Sequence, residues 1–104
     1  GVNGIDNLNK ILQNVFNPPS NNKKEIHDLD VTYREKDKIL QLENMPDENV
    51  FNGDIGFIEK IENNEITVDF DGNKVKYTKK DFKAIKHGYA ISVHKAQGSY
   101  NANC

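Results

Sequence analysis

The residues best suited to chemistry lie near the end of the chain, directly after an apolar stretch. Polar and small residues begin abruptly there: Ser92, His94, Lys95, Gln97, Gly98 and Ser99. Hydroxyl, imidazole and ammonium groups at this spacing suit a phosphate backbone, and a glycine lets backbone amides approach a phosphate closely. Because alternate strand residues point to the same side, Ser92 and His94 could face one ligand. The bare pattern is more often an ordinary exit from a strand into a loop, so both interpretations stay open.

A second charged set lies within fourteen residues: Lys74, Lys76, Lys79, Lys80, Lys83, Lys86 and His87. These groups could form a local nucleic-acid contact, but a solvated hairpin face and helix face explain them more simply. The whole chain carries 14 basic against 16 acidic side chains and a formal net charge of −2. Autonomous nucleic-acid binders usually show a basic excess, so the charge argues against strong binding by this chain alone.

Two other kinds of site are disfavoured by spacing. A hydrolase based on Ser92 and His94 would lack an acid that orients the histidine. A metal site would draw on His27, His87, His94 and Cys104, and no ligand pair among them has zinc-finger spacing. A single cysteine cannot form a disulfide within the chain, and a reducing, cytoplasmic setting fits best.

Length and composition predict one domain with one modest core. The chain has 104 residues, of which 36% are hydrophobic and 29% charged, and it contains no Trp. No apolar run approaches transmembrane length. The sequence begins at Gly1 without methionine and stops in mid-pattern at Cys104, so we expect a piece of a longer protein.

The first half of the chain predicts one helix followed by strands. Residues 5–16 carry an apolar stripe at helical spacing, which we expect to lie in the core: Ile5, Leu8, Ile11, Leu12, Val15 and Phe16. Pro18 and Pro19 end the helix. After a polar loop, alternation at Leu29, Val31 and Tyr33 and the run 38–42 indicate two strands.

The second half predicts short strands separated by tight turns. Asn52-Gly53, Asn63-Asn64 and Asp71-Gly72 are turn signals, and alternation on both sides of the third predicts a β-hairpin. Residues 78–81 resemble a capping box that opens a short helical turn. We expect about four strands in residues 50–82, closed into a small SH3-like barrel because closure removes exposed edges. Residues 89–93 predict a last strand.

Four stretches, in order, resemble RecD-like DNA helicases of superfamily 1. Residues 88–99, GYAISVHKAQGS, resemble motif V, whose usual wording is close to AYAISVHKSQGSEF. Residues 50–56 resemble the VFNGDIG segment, and residues 33–41 resemble FRxGDKVMQ, with Asn44 at the asparagine that follows. The helix from Gly4 to Asn17-Pro18 resembles the helix that precedes them. The resemblance spans residues 3–99.

This resemblance implies an α+β fold, mainly β with a flanking helix, in which an SH3-like small barrel is inserted in a partial RecA-like motor domain. Residues 1–49 would be part of the second RecA-like motor domain, 50–84 the barrel insertion, and 85–104 the return to the motor domain with motif V. The implied parent is an ATP-dependent helicase, 5′-to-3′ in direction, that acts in DNA repair or recombination. Such chains often carry the label exodeoxyribonuclease V alpha subunit.

The resemblance also implies roles for individual residues. Ser92, His94 and Lys95 match positions that contact single-stranded DNA, independently of base sequence. Gln97 and Gly98 match the turn that couples DNA contact to the nucleotide cleft. The acidic residue of the family after this turn is missing, because Tyr100 follows Ser99.

The chain contains neither a GxxxxGK[ST] phosphate loop nor the acidic pair that holds magnesium. We therefore expect no cofactor on this piece and no ATP hydrolysis by it alone; ATP and Mg²⁺ would bind elsewhere in the parent chain. The implied partners are single-stranded DNA and the remainder of the motor, with nuclease or other repair subunits as candidates and no membrane. The alternative is a stand-alone SH3-like module that binds protein or nucleic acid without catalysis. It explains residues 50–82 equally well, but not the order of the four stretches.

Overall fold

The computed structural model describes residues 4–91, which contain the helix α1, seven strands and two 3₁₀ helices, and residues 89–91 are helical as well. The helix α1 spans Gly4–Phe16. The strands are β1 (Glu25–Asp28), β2 (Val31–Arg34), β3 (Lys38–Gln41), β4 (Ile55–Glu62), β5 (Glu65–Phe70), β6 (Asn73–Tyr77) and β7 (Ile85–His87). The 3₁₀ helices are η1 (Pro46–Glu48) and η2 (Lys79–Ala84). The fold is therefore mainly β with a flanking helix.

The strands form two sheets. β1 and β2 make a two-stranded hairpin, and the other five form a sheet in the order β6-β5-β4-β3-β7. Every strand pair within residues 4–91 is antiparallel. A RecA-like motor needs a parallel sheet with crossover helices, so the expected partial motor domain is not present in this part of the chain.

The five-stranded sheet crosses the predicted domain boundaries. β3 precedes residue 50 and β7 follows residue 84, yet both pair in the sheet that contains β4. The sheet is open, with β6 and β7 at its edges and η2 connecting them, so the expected closure into a barrel is wrong for the strands within residues 4–91. Residues 50–82 contain three strands, not four, and the other two come from the flanking segments. The boundaries of the domains themselves stay a prediction.

The hairpin turns follow local residue chemistry. Asn63 and Asn64 join β4 to β5 with φ angles of 54° and 62°, and Asp71 and Gly72 join β5 to β6 with 54° and 97°. These left-handed angles suit Asn, Asp and Gly, as the predicted turns required. The capping box is also confirmed: the Asp81 carboxylate accepts hydrogen bonds from the amide and the hydroxyl of Thr78 at the start of η2.

A β-bulge lets β4 bury residues that strict alternation would separate. Ile58 pairs with Val68 and Lys60 pairs with Thr67, so one extra residue lies between them on β4. Ile58 and Ile61, three positions apart, are therefore both buried. The core also contains residues from β5, β6, η2 and the small hairpin: Ile66, Val68, Val75, Tyr77, Phe82, Ile26 and Tyr33.

Two strand predictions were wrong. Leu29 does not continue an alternating strand; it has a φ of 56° in the turn between β1 and β2 and is 97% exposed. The last strand is Ile85–His87, and residues 89–91 are helical, whereas residues 92 and 93 of the predicted strand lie outside the described residues. β7 pairs with β3 from Ile85 to His87, so the last strand begins four residues earlier than the apolar run at residues 89–93 suggested.

None of the helices within residues 4–91 combines the length and the apolar character needed to cross a membrane.

Candidate functional site

Helix α1 presents its polar face to the sheet. Asn9, Gln13 and, just past the helix, Asn17 recur every four residues, and each is 4% exposed. The apolar stripe lies on the outside: Ile5, Leu8, Ile11, Val15 and Phe16 are 38–67% exposed. The expectation that this stripe belongs to the core is wrong. Helical periodicity shows that one face is apolar, but it does not show which face the neighbouring sheet covers.

The inward polar face converges on the carboxylate of Asp37, which is fully buried. Its Oδ1 accepts hydrogen bonds from Asn17 Nδ2 (2.8 Å) and from the Tyr89 hydroxyl (2.9 Å). Its Oδ2 accepts from Gln13 Nε2 (2.7 Å) and from the Arg34 amide (2.7 Å). His87 Nε2 lies 2.8 Å from the same oxygen and donates to it when that nitrogen is protonated. We call these residues (Gln13, Asn17, Asp37, His87 and Tyr89) the Asp37 cluster.

The electrostatics of the cluster favour the ionised form of Asp37. Burial by itself raises the pKa of this carboxyl, but the hydrogen bond and charge of His87, with hydrogen bonds from Asn17 and the Arg34 amide, outweigh it. The net result is a pKa below the ordinary value of 3.8. Burial, and then the neighbouring charge of Asp37, raise the pKa of Tyr89, so its hydroxyl stays a donor.

Further contacts hold the donors of the cluster in place. Gln13 Nε2 also donates to the Thr32 carbonyl (2.8 Å), and Asn17 Nδ2 donates to the Glu35 carbonyl (3.0 Å). Lys23 Nζ donates to Asn17 Oδ1 (2.7 Å), which fixes the orientation of that amide. Because Gln13 and Asn17 each have a further partner, neither side chain can rotate without breaking at least two hydrogen bonds.

Hydrogen bonds that involve the Asp37 cluster and α1 also hold the residues after β7 in place. The Gly88 amide donates to the Lys38 carbonyl (2.9 Å), and the Lys38 amide donates to the Tyr89 hydroxyl (3.2 Å). The Ala90 amide donates to Asn9 Oδ1 on α1 (2.8 Å). A side chain at position 88 would come within 3.3 Å of the Ile39 backbone, so glycine permits this close approach.

The Asp37 cluster is better suited to holding structural elements together than to catalysis. The Asp37 carboxylate is enclosed and saturated with donors, so it has no free lone pair for a substrate proton. Within residues 4–91 no group of three or more His, Cys, Asp or Glu is placed to hold a metal ion. No buried side-chain polar atom in that range lacks a hydrogen-bond partner. What the cluster can do is fix the relative positions of α1, β3 and residues 87–90.

The residues predicted to contact DNA and nucleotide (Ser92, His94, Lys95, Gln97 and Gly98) lie outside the described residues. Their roles therefore stay predictions. The described chain leads directly to them: Ile91 is the last described residue, two positions after Tyr89.

The lysine-rich set is split by the structure. Lys74, Lys76, Lys79, Lys80 and Lys83 are exposed on β6 and η2, which agrees with solvated faces, and Lys74 forms an ion pair with Glu59 (2.7 Å). Lys86 is half-buried and lies 3.7 Å from Asp6. His87 is the exception: it is 7% exposed and belongs to the Asp37 cluster, so its assignment to a solvated face was wrong.

Sequence reasoning did not single out Asp37, Gln13 or Asn17 as site residues. A signal was available, because Asn9, Gln13 and Asn17 recur at a spacing of four and so share one helical face. A polar stripe beside an apolar stripe is ordinarily the solvated side of a helix. Only the tertiary structure shows that the β2–β3 turn places a buried carboxylate opposite this stripe.

Fold and site together define a small, mainly antiparallel β domain with one flanking helix, fastened by a buried carboxylate. Residues 8–70 match the family described as the SH3 domain of ATP-dependent RecD-like DNA helicases. This match covers more than half of the sequence, and the chain belongs to this family. An ATP-dependent RecD2 DNA helicase of Deinococcus radiodurans is 38% identical over 96 residues, which are 92% of this chain. The chain spans 13% of the length of that relative.

Proposed function

We propose that this chain works as the SH3-like part of an ATP-dependent, RecD-like DNA helicase of superfamily 1. In this proposal the longer protein unwinds DNA in the 5′-to-3′ direction during repair or recombination, in the cytoplasm. It binds ATP and Mg²⁺ outside the present chain, and nuclease or other repair subunits are candidate partners. Family membership and the order of the four resembling stretches support the proposal.

The observation that carries the proposal is the exposed apolar face of α1. Val15 is 65% exposed and Phe16 is 67% exposed, whereas Asn9, Gln13 and Asn17 on the opposite side are each 4% exposed. A contiguous apolar helical face in water is costly and typically marks a contact surface. A stand-alone SH3-like module would cover such a face only while it binds a partner, whereas a domain of a larger motor would bury it permanently against the neighbouring part. We assign that role to the remainder of the helicase.

In this proposal, the residues after Ile91 contact DNA and couple that contact to ATP hydrolysis. Ser92, His94 and Lys95 contact the backbone of single-stranded DNA, and Gln97 and Gly98 link that contact to the nucleotide cleft. The five-stranded sheet with η2 acts as the SH3-like part, and residues 87–91 connect it to the DNA-contacting segment. Contacts to phosphate and sugar make the interaction indifferent to base sequence.

Fluorescence anisotropy with labelled single-stranded DNA tests the proposal. The chain should bind an oligo-dT and a mixed-sequence oligonucleotide of equal length weakly and with similar affinity, and salt should weaken both. Lys95→Ala should weaken binding and reduce the slope of log affinity against log salt by about 0.7, the value for one phosphate contact on a single strand. His94→Ala should weaken binding as well.

Lys60→Ala is the matched control, because it removes the same charge from an exposed position on β4. It should leave the affinity and the salt slope near those of the wild type. Tight binding to one base sequence, or equal losses in Lys60→Ala and Lys95→Ala, would contradict the proposed contact. A chain that binds no DNA but captures a protein ligand would support the alternative, a stand-alone interaction module.

A further inference from the structure

The Asp37 cluster joins parts of the chain that are far apart in sequence. Asp37 lies 50 residues before His87 and 52 before Tyr89, and it contacts both through one carboxylate. Gln13 and Asn17 reach the same carboxylate from α1. All five side chains are at least nine-tenths buried, so water does not compete for these hydrogen bonds. One carboxylate thus fixes α1, the β2–β3 turn and the end of β7 together.

Stability alone is a poor explanation for a buried charge at this position. Taking a carboxylate out of water is costly, and well-packed apolar residues of similar volume often stabilise a core equally well or better. A carboxylate supplies direction instead, since each oxygen accepts from donors at defined angles. Two of the donors are His87, the last residue of β7, and Tyr89, the first of the helical residues 89–91. The Asp37 cluster therefore determines the backbone path of residues 87–91.

We propose that Asp37 is a positioning residue: through Tyr89 and His87 it sets the course of residues 87–91 and hence the point from which the segment beginning at Ser92 starts. This inference rests on the proposed function, in which Ser92, His94 and Lys95 contact single-stranded DNA. Asp37 touches neither DNA nor nucleotide. It acts by holding the preceding residues to α1 and β3.

The two oxygens predict what Asp37→Asn would do. The Arg34 amide donates to Oδ2 at 2.7 Å and cannot become an acceptor, so an asparagine must place its carbonyl oxygen there. Its NH₂ group then takes the place of Oδ1 and meets the Nδ2 donor of Asn17 and the hydroxyl of Tyr89. The Tyr89 hydroxyl therefore loses its acceptor while the ring stays in place, and it can meet the NH₂ group only as a further acceptor beside its bond from the Lys38 amide. Tyr89→Phe removes the same contact with a smaller change.

Amide hydrogen exchange of the 104-residue chain tests the positioning role. In Asp37→Asn and in Tyr89→Phe, the Gly88 and Ala90 amides should exchange about fivefold to tenfold faster relative to the β5–β6 amides, as expected for the loss of one buried hydrogen bond. The β5–β6 amides report global unfolding, so the ratio separates a local release from a loss of stability. Unchanged ratios in both variants would overturn the proposal.

Tyr77→Phe is the matched control. It also removes one buried tyrosine hydroxyl, but that hydroxyl donates to Gln41 Oε1 (2.6 Å), outside the Asp37 cluster. It should leave the ratio of the Gly88 and Ala90 amides to the β5–β6 amides unchanged. If Asp37→Asn does not fold, Tyr89→Phe and Tyr77→Phe alone decide the result.

Anisotropy with labelled oligo-dT then tests the consequence for DNA. Tyr89→Phe should bind about threefold to tenfold more weakly than the wild type, and Tyr77→Phe should match the wild type. If the amide exchange ratio changes but the affinity for DNA does not, the Asp37 cluster does not position the DNA-contacting segment. This result would overturn the positioning role. A wild-type chain that binds no DNA would refute the proposed function, whereas the exchange ratio would still decide whether Asp37 holds residues 87–91.

Discussion

Asp37 is both buried and ionised because five neighbouring groups donate hydrogen bonds to its carboxylate. Its lowered pKa has a consequence for stability against pH. A carboxyl whose pKa is lower in the folded state than in the unfolded chain stabilises the fold above the unfolded value and loses this effect as the pH falls through the folded value. The contribution should therefore be constant above about pH 5, should decrease as the pH falls below about 4, where the unfolded chain takes up the proton, and should vanish only below the lower pKa of the folded state.

Asp37→Asn makes this effect measurable. At neutral pH we expect a loss of about 3 kcal/mol in the free energy of unfolding, typical of one partner lost from a buried charged network. The difference between wild type and variant should shrink as the pH falls below about 4. Urea titrations across this range would show it. A difference that grows on acidification would mean that the carboxyl has a raised pKa.

Lys36 occupies a backbone conformation that suits glycine. Its φ is 78° in the turn between β2 and β3, and its side chain is exposed. The similar helicase segment, FRxGDKVMQ, has glycine at this place. A Cβ in the left-handed region costs about 1–2 kcal/mol, part of which the greater flexibility of glycine in the unfolded chain offsets.

Lys36→Gly should therefore raise the free energy of unfolding by about 0.5–1 kcal/mol. Lys36→Ala is the control, because it removes the ammonium group but keeps the Cβ. Chemical denaturation of both variants separates backbone strain from charge. A glycine variant no more stable than the alanine variant would show that the turn is not strained.

At the scale of elements, the sequence predicts best what local chemistry decides. The helix, the asparagine turn and the Asp71-Gly72 turn depend on residues adjacent in the chain, and each was predicted at the right place. The last strand was not, because β7 is defined by pairing with β3, more than forty residues away. An apolar run cannot by itself distinguish a strand from a buried helical turn, and residues 89–91 are helical.

Gly56 shows a long-range constraint inside an element. A Cβ on this β4 residue would lie 2.7 Å from Val68 Cγ1 and 2.8 Å from the Asp69 carbonyl oxygen on β5. The backbone oxygen cannot move aside without disturbing the ladder, so the strand must shift. Glycine therefore allows β4 and β5 to approach closely.

Gly56→Ala should lower the free energy of unfolding by about 1–3 kcal/mol, the usual cost of overpacking. Gly4→Ala is the matched control: a Cβ there meets no atom within 4 Å, and alanine favours the helix. Thermal or urea unfolding of the two variants would compare them. Equal stability of Gly56→Ala and wild type would mean that the two strands separate at little cost.

At the scale of the whole molecule, the sequence predicted the type of fold but not the organisation of the site. Apolar alternation and turn residues predict a small β domain, and the described residues form one. The buried polar cluster could not be predicted in the same way, because its members come from α1, the β2–β3 turn and the end of β7. Their meeting depends on which face of α1 the sheet covers. That choice depends on the fold of the whole chain and not on the helix.

The outward apolar face of α1 leads to the last prediction. Ile11 and Val15 are 53% and 65% exposed, so replacing both with lysine removes little burial. In this chain Ile11→Lys with Val15→Lys should change the free energy of unfolding by less than about 0.5 kcal/mol. By contrast, Ile66→Ala in the fully buried core should cost about 2–5 kcal/mol.

The same double variant should also reduce binding of a hydrophobic dye and any self-association, because the two lysines interrupt the apolar stripe. Urea unfolding, dye fluorescence and sedimentation would measure these effects. If the remainder of the helicase covers this face, the same substitutions in the longer protein should lower its stability although they spare the isolated chain. A large loss of stability in the isolated chain would instead place the stripe in its own core and would remove the argument that this face belongs to a larger motor.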